Sequence, residues 1–264
     1  MRALLAAYLF GPGAPDDELS LSGLGAHYSS RAVFDAALGI PSGYLTADEI
    51  DALRPAVWRQ LNAQAGRLRF VKTHDRYRRT AAGEAIFPPD VTIATIVIVR
   101  NPLAVAPSWA HHSGISIDES IDSMARTDAG LSTSLRRTSD QLPQDLSSWS
   151  AHVASWLDQR ELPVTLVRYE DLRGDTAGSL ARMLRAVGLE PDATRLAEAV
   201  AACEFERLAA REAQAGFAER AGRDRPFFRR GEATGWRQEL TAEQIARIVA
   251  THRATMERLG FPTA

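Results

Sequence analysis

Three short clusters in this chain combine residue types that bind anions and move protons. Lys72-Thr73-His74 sets an ammonium and an imidazole two residues apart, Arg100-Asn101 offers a guanidinium, and Arg168-Tyr169-Glu170-Asp171 adds another guanidinium, a phenol and two carboxylates. An imidazole titrates near neutral pH and can serve as a general base. A guanidinium forks onto two oxygens of a phosphate-like group. Lys72 is the only lysine in the chain.

Each cluster directly follows an apolar run. Segments 68–71, 92–99 and 164–167 read as buried strands, and the middle one is nearly continuous and β-branched, as a strand covered on both faces should be. Helical patterns occupy about 46–65, 103–126, 145–160, 176–188, 192–212 and 241–259. Asn101-Pro102 supplies a capping residue before a proline at the first helical position, and Thr241-Ala242-Glu243-Gln244 has the capping-box pattern. Strands alternating with helices predict an α/β fold with a parallel sheet and right-handed crossovers. Ligands of such sheets bind outside the carboxyl ends of the strands, so the three clusters are expected to line one crevice.

Segments 127–144 and 214–235 lack periodicity and are expected to be lids or binding loops; the second holds Gly216, Gly222, Pro226, Gly231 and Gly235. No internal repeat and no linker composition interrupts the chain, which is read as a single domain over residues 1–264.

Composition narrows the function classes. The chain has 264 residues, 45% hydrophobic and 24% charged, an ordinary globular balance. A formal net charge of −2 argues against a general polyanion binder. No nucleic-acid partner is expected, and any anion site must be built locally. The single cysteine, Cys203, permits no internal disulfide and fits a reducing compartment. It has no local basic cluster to make it a nucleophile. No apolar run is long enough to span a membrane, so a soluble, cytoplasmic protein without a membrane partner is expected. His111 and His112 are adjacent on a predicted helix and point about 100° apart, so they cannot chelate one metal from one face. No metal is expected, and neither a Gly-x-x-x-x-Gly-Lys-Ser/Thr loop nor a Gly-x-Gly-x-x-Gly turn is present. Oligomeric state is left open, a homodimer included.

Four longer segments follow in order: Phe70-Val71-Lys72-Thr73-His74, Val99-Arg100-Asn101-Pro102-Leu103-Ala104-Val105-Ala106-Pro107-Ser108, Arg168-Tyr169-Glu170-Asp171-Leu172, and Phe228-Arg229-Arg230-Gly231-Glu232-Ala233-Thr234-Gly235-Trp236-Arg237. Together they resemble the Lys-Thr-His, Arg-Asn-Pro-x-x-Val-x-x-Ser, Arg-Tyr-Glu-Asp-Leu and Arg-Lys-Gly-x-x-Gly-x-Trp elements of the sulfotransferases that use 3′-phosphoadenosine 5′-phosphosulfate. The resemblance implies a three-layer α/β/α fold of P-loop NTPase-like topology, with that nucleotide as donor substrate and no metal. It implies transfer of a sulfuryl group to a hydroxyl or amine of a small-molecule acceptor. It assigns His74 as the base that takes the acceptor proton and Lys72 as the cation on the sulfuryl or bridging oxygen. Arg100, Ser108, Arg229, Arg230 and the backbone near Gly231 would hold the 3′-phosphate, and Tyr169 and Phe205 would contact the adenine. Phe205 reads equally well as a core residue.

Two departures from the family pattern stand out. The family's phosphosulfate loop, Pro-Lys-Ser-Gly-x-Thr-Trp, has no counterpart, and Arg2-Ala3-Leu4-Leu5-Ala6-Ala7-Tyr8-Leu9 resembles the helix that follows it. The first strand and the loop are expected upstream of Met1, and activity of the chain as it stands is expected to be impaired. Pro107, inside the predicted helix that carries Ser108, is expected to kink or displace that turn. Two further readings are a nucleotide kinase of related topology and a degenerate protein that binds the adenosine bisphosphate without catalysis.

Overall fold

The computed structural model describes residues 1–11, 27–66, 68–134, 138–217 and 225–263. The fold is α/β. Strand β1 (Thr95–Val99) pairs in parallel with β4 (Val164–Arg168). Both fall on apolar runs read as strands, and each hands over at once to a helix. After β1, Asn101 caps α4 (Pro102–Ser113) by accepting the Leu103 N–H, with Pro102 where a helix loses no hydrogen bond to a proline. After β4 the chain enters α7 (Tyr169–Gly174) directly.

Among the described residues segment 68–71 joins no ladder: Leu68 and Val71 are 43% and 37% exposed, and a parallel bridge between His27 and Lys72 follows it. An apolar run becomes a strand only when a neighbour accepts its hydrogen bonds and covers its face.

The described residues fall into two compact units, one drawn from 1–20, 96–126 and 165–264, the other from 21–95 and 127–164. In the first, α1 (Arg2–Phe10) packs on α9 (Ala193–Ala202), and α8 (Thr176–Ala186) packs on both α7 and α9. Helix α12 (Ala242–Arg258) packs on α4 and on α5 (Ile117–Ala125). Its core includes Leu103, Val167, Leu180, Met183, Leu184, Ile248 and Met256, all buried. The predicted helix over 103–126 is two helices. Gly114 ends α4 in the left-handed conformation, and Ser116 starts α5 with a capping box to Glu119. The helix over 192–212 likewise breaks at Cys203-Glu204, and α10 (Phe205–Ala215) follows. Proline 107 stands inside α4 without ending it. Thr241 forms the expected capping box with Gln244 at the start of α12.

In the second unit, α2 (Arg31–Leu38) packs on α3 (Ala47–Ala63) around Phe34, Ile50, Val57 and Leu142. Part of the segment expected as a loop is ordered by β2 (Gly130–Leu131) pairing antiparallel with β3 (Gln144–Asp145). That pairing delays α6, which runs over Trp149–Asp158 rather than from 145.

An ion pair lies at the centre of this unit. Arg54 and Asp75 are both buried, with Nη1 of Arg54 2.9 Å from Oδ2 of Asp75. The second arm of Arg54 donates to the Pro143 carbonyl, and its guanidinium lies over the Tyr28 ring, which stacks on Trp58. The other oxygen of Asp75 accepts the Asp145 N–H at 3.0 Å. Asp75→Ala is expected to cost about 3–5 kcal/mol, because it leaves a buried guanidinium unpaired. A urea melt would check this, and a loss below about 1 kcal/mol would mean the pair is replaceable.

His252, buried on α12, has its pKa lowered by desolvation from 6.5 to about 4. The unfolded chain therefore takes up this proton before the folded one does. Stability is expected to fall as pH drops from 6.5 towards about 4 and then to level off for this group. His252→Gln should flatten that part of a stability–pH curve, and an unchanged slope would show that other groups carry it.

Among the described residues no helix is long and apolar enough to cross a membrane.

Candidate active site

In the first unit, Arg100 directly follows β1 and β4 ends on Arg168, so both strand ends carry charge. Their guanidiniums have different uses. Arg168 is spent on the fold: it forks onto both oxygens of Asp171 at 2.8 and 2.6 Å and donates to the Leu259 carbonyl at 2.8 Å. Arg100 instead lies over the Tyr169 ring, 4.4 Å from its centroid. Its Nη2 donates to the Glu232 carbonyl at 2.8 Å, while its buried Nε has no partner among the described residues. Burial lowers the Arg100 pKa, and Tyr169 and Glu170 work against that. An arginine stays charged at neutral pH through such a shift. The Arg100 cation is thus held against an aromatic face, with its Nε hydrogen unpaired among the described residues.

The segment 228–236 meets these groups. The Tyr169 hydroxyl donates to the Gly231 carbonyl at 3.3 Å. Gly231 has φ +65°, and a Cβ there would stand 2.4 Å from Cδ2 of Phe205. Phe205, the first residue of α10, therefore lies flat against the glycine, with its ring edge-on to Phe228 at 6.3 Å. Phe228 and Phe227 both donate their N–H groups to the buried Glu212 carboxylate, at 2.8 and 2.6 Å. Arg229 forks onto Glu239 at 2.6 and 2.9 Å, and Arg230 reaches the same carboxylate at 3.5 Å. Arg229 also acts on Arg100 by like-charge repulsion. The structure thus brings together Arg100, Tyr169, Phe205, Arg229, Arg230 and Gly231. Ser108 lies partly exposed on α4, eight positions after Arg100.

Lys72 and His74 belong to the second unit. The Tyr28 N–H donates to the Lys72 carbonyl at 2.7 Å, and the His74 ring lies 5.4 Å from that of His27. Residue 75, next to His74, is tied down on every side. The Asp75 N–H donates to the Thr73 hydroxyl at 3.0 Å, its carbonyl accepts from Trp156 Nε1 at 3.2 Å, and its carboxylate takes Arg54. His74 therefore projects from a backbone fixed by side-chain hydrogen bonds in place of a strand ladder.

Two residues of this chemistry carry no sequence signal: Glu239 follows Arg229 by ten positions across a loop, and Asp75 acts from the interior. Neither has a spacing that a periodic pattern would reveal. Glu170, part of a cluster legible in the sequence, accepts the Asn101 N–H at 3.1 Å. Among the described residues no group of three or more His, Cys, Asp or Glu could hold a metal ion. Cys203 is half-buried, and burial raises its thiol pKa.

Comparison with known families matches residues 52–260 to the sulfotransferase domain. The chain belongs to the sulfotransferase family. All four segments that carry the resemblance lie inside the matched span. The fold is similar to mouse sulfotransferase SULT7A1 solved with PAP, at a TM-score of 0.56 and 17% identity over 76% of this chain and 69% of that one. It is also similar to retinol dehydratase solved with androsterone and the inactive cofactor PAP, at a TM-score of 0.58 and 16% identity over 97% and 76% of the two chains. A retinol dehydratase complex with retinol and PAP matches at a TM-score of 0.54 and 19% identity over 84% and 64%. Likeness at these identities shows the fold. Comparison with curated proteins returned no match.

Gly231 gives this sulfotransferase a sharp test of its loop. Gly231→Ala combines a left-handed backbone with a collision against Phe205 and is expected to cost about 1–3 kcal/mol. It should raise hydrogen exchange across 228–236 more than elsewhere. Uniform exchange with an unchanged melting temperature would show that the loop has room to yield.

Proposed function

We propose that this sulfotransferase transfers a sulfuryl group from 3′-phosphoadenosine 5′-phosphosulfate to a hydroxyl or amine of a small acceptor. The acceptor oxygen or nitrogen forms a bond to sulfur as the bond from sulfur to the bridging phosphate oxygen breaks. The adenosine bisphosphate leaves with the electron pair, and the acceptor proton passes to His74. Lys72 supplies positive charge to the sulfuryl or bridging oxygen as negative charge grows there. Arg100 and Arg230 hold the 3′-phosphate, with Arg229, Ser108 and the backbone at Gly231 beside them. Tyr169 and Phe205 provide the aromatic surfaces for the adenine.

One observation carries this reading. Three guanidiniums, an aromatic pair and a left-handed glycine are gathered in one unit, and the Arg100 Nε has no partner among the described residues. The structural neighbours add support, since all three hold PAP and two hold androsterone or retinol.

Calorimetry with PAP and an acceptor screen with labelled donor test the proposal together. Arg100→Ala is expected to weaken PAP roughly ten- to a hundredfold, as loss of charged hydrogen bonds should. His74→Ala should leave PAP affinity nearly unchanged and lower kcat roughly 10²–10⁴-fold. PAP binding without turnover of any acceptor would make the chain a nucleotide-binding protein, and transfer from ATP in place of the phosphosulfate would overturn the donor.

A further inference from the structure

Arg229 and Arg230 are neighbours in sequence but are not equivalent in space. Arg229 gives both arms to Glu239, at 2.6 and 2.9 Å, and its side chain is 29% exposed. Arg230 gives one arm to the same carboxylate at 3.5 Å and is 42% exposed. A guanidinium has five N–H donors in a fixed fork. Arg229 has committed the face of its fork, whereas Arg230 and Arg100 keep donors to offer.

Glu239 has a firm base. It ends α11 (Trp236–Glu239), whose first residue, Trp236, is buried, and α11 packs on α4, the helix that follows Arg100. The Glu239 side chain is 17% exposed. Its charge also reaches Arg100, where it opposes the effects of burial and of Arg229. One carboxylate thus faces three guanidiniums that would otherwise repel one another.

From this geometry we infer that Glu239 is a positioning residue for the donor's 3′-phosphate. It locks Arg229 as a strut and thereby aims Arg230 and Arg100, which make the contacts. The inference rests on the donor reading above. A carboxylate near a phosphate repels it, so its presence is useful only if holding the guanidiniums in place outweighs that cost. Preorganised donors need no rearrangement when the anion arrives, which is the condition under which this holds.

The test compares two nucleotides that differ in the 3′-phosphate alone, PAP and adenosine 5′-monophosphate, by calorimetry on wild type, Glu239→Gln, Arg229→Gln and the double variant. Each single variant is expected to weaken PAP about tenfold and leave the monophosphate unchanged. The double variant should be no weaker than either single one, because both act through one pair. In the transfer assay the donor KM should rise while kcat changes little. Thermal melts confirm that each variant is folded. If Glu239→Gln does not fold, Arg229→Gln alone must give the same selective loss. Unchanged or tighter PAP binding, or an equal loss for both nucleotides, would overturn the inference. A wild type that binds PAP no better than the monophosphate would overturn the donor reading and take this inference with it.

Discussion

Positive charges gathered in one place push each other apart, and the unit that holds Arg100, Arg229 and Arg230 is organised around that fact. Arg100 feels the charge of Arg229, and Arg229 and Arg230 share the Glu239 carboxylate. Arg100 leans on the Tyr169 ring and on the Glu232 carbonyl, and Arg229 is forked by Glu239. Loop 228–236 holds because Phe227 and Phe228 give their amides to Glu212 and because Gly231 lets the chain pass close over Phe205. Repulsion is thereby converted into a fixed array of donors. A net charge of −2 over the whole chain is compatible with such a site because the positive field is local.

The second unit solves a related problem by different means. The segment that carries Lys72 and His74 is not stitched into a ladder, yet its backbone is fixed. Asp75, the residue after His74, is buried and bonded through its amide, its carbonyl and both carboxylate oxygens. Burying Arg54 and Asp75 costs solvation, and the Pro143 carbonyl and the Asp145 amide take up one further donor of Arg54 and the second oxygen of Asp75. The gain is a single conformation for the residues beside it.

Much of the fold was legible in the residues. Segments 92–99 and 164–167 announced β1 and β4, and the signals at Asn101-Pro102 and Thr241–Gln244 marked where α4 and α12 begin. These succeed because they are local: a cap bonds within three residues, and a buried strand must be apolar throughout. Errors arose where a local pattern needed a distant partner. Segment 68–71 has the composition of a strand but joins no ladder among the described residues, and Asp145 left the predicted helix because β2 was available to pair with. The helical period across 103–126 ran on through Gly114, whose left-handed turn outweighs the pattern around it.

The sequence by itself determined the α/β class, the strand ends that carry charge, and four ordered segments specific enough to name the family. Their residue types, order and close spacing are properties of the chain alone. Tertiary structure decided how the cations divide their work. Arg168 became a fold anchor and Arg100 kept a donor unpaired among the described residues, although both stand at the end of a strand. Arg229 became a strut while its neighbour did not, and Glu239, Glu212 and Asp75 acquired their roles from across loops and elements. Electrostatic energy depends on distance and burial, and both are set by where the chain folds back on itself.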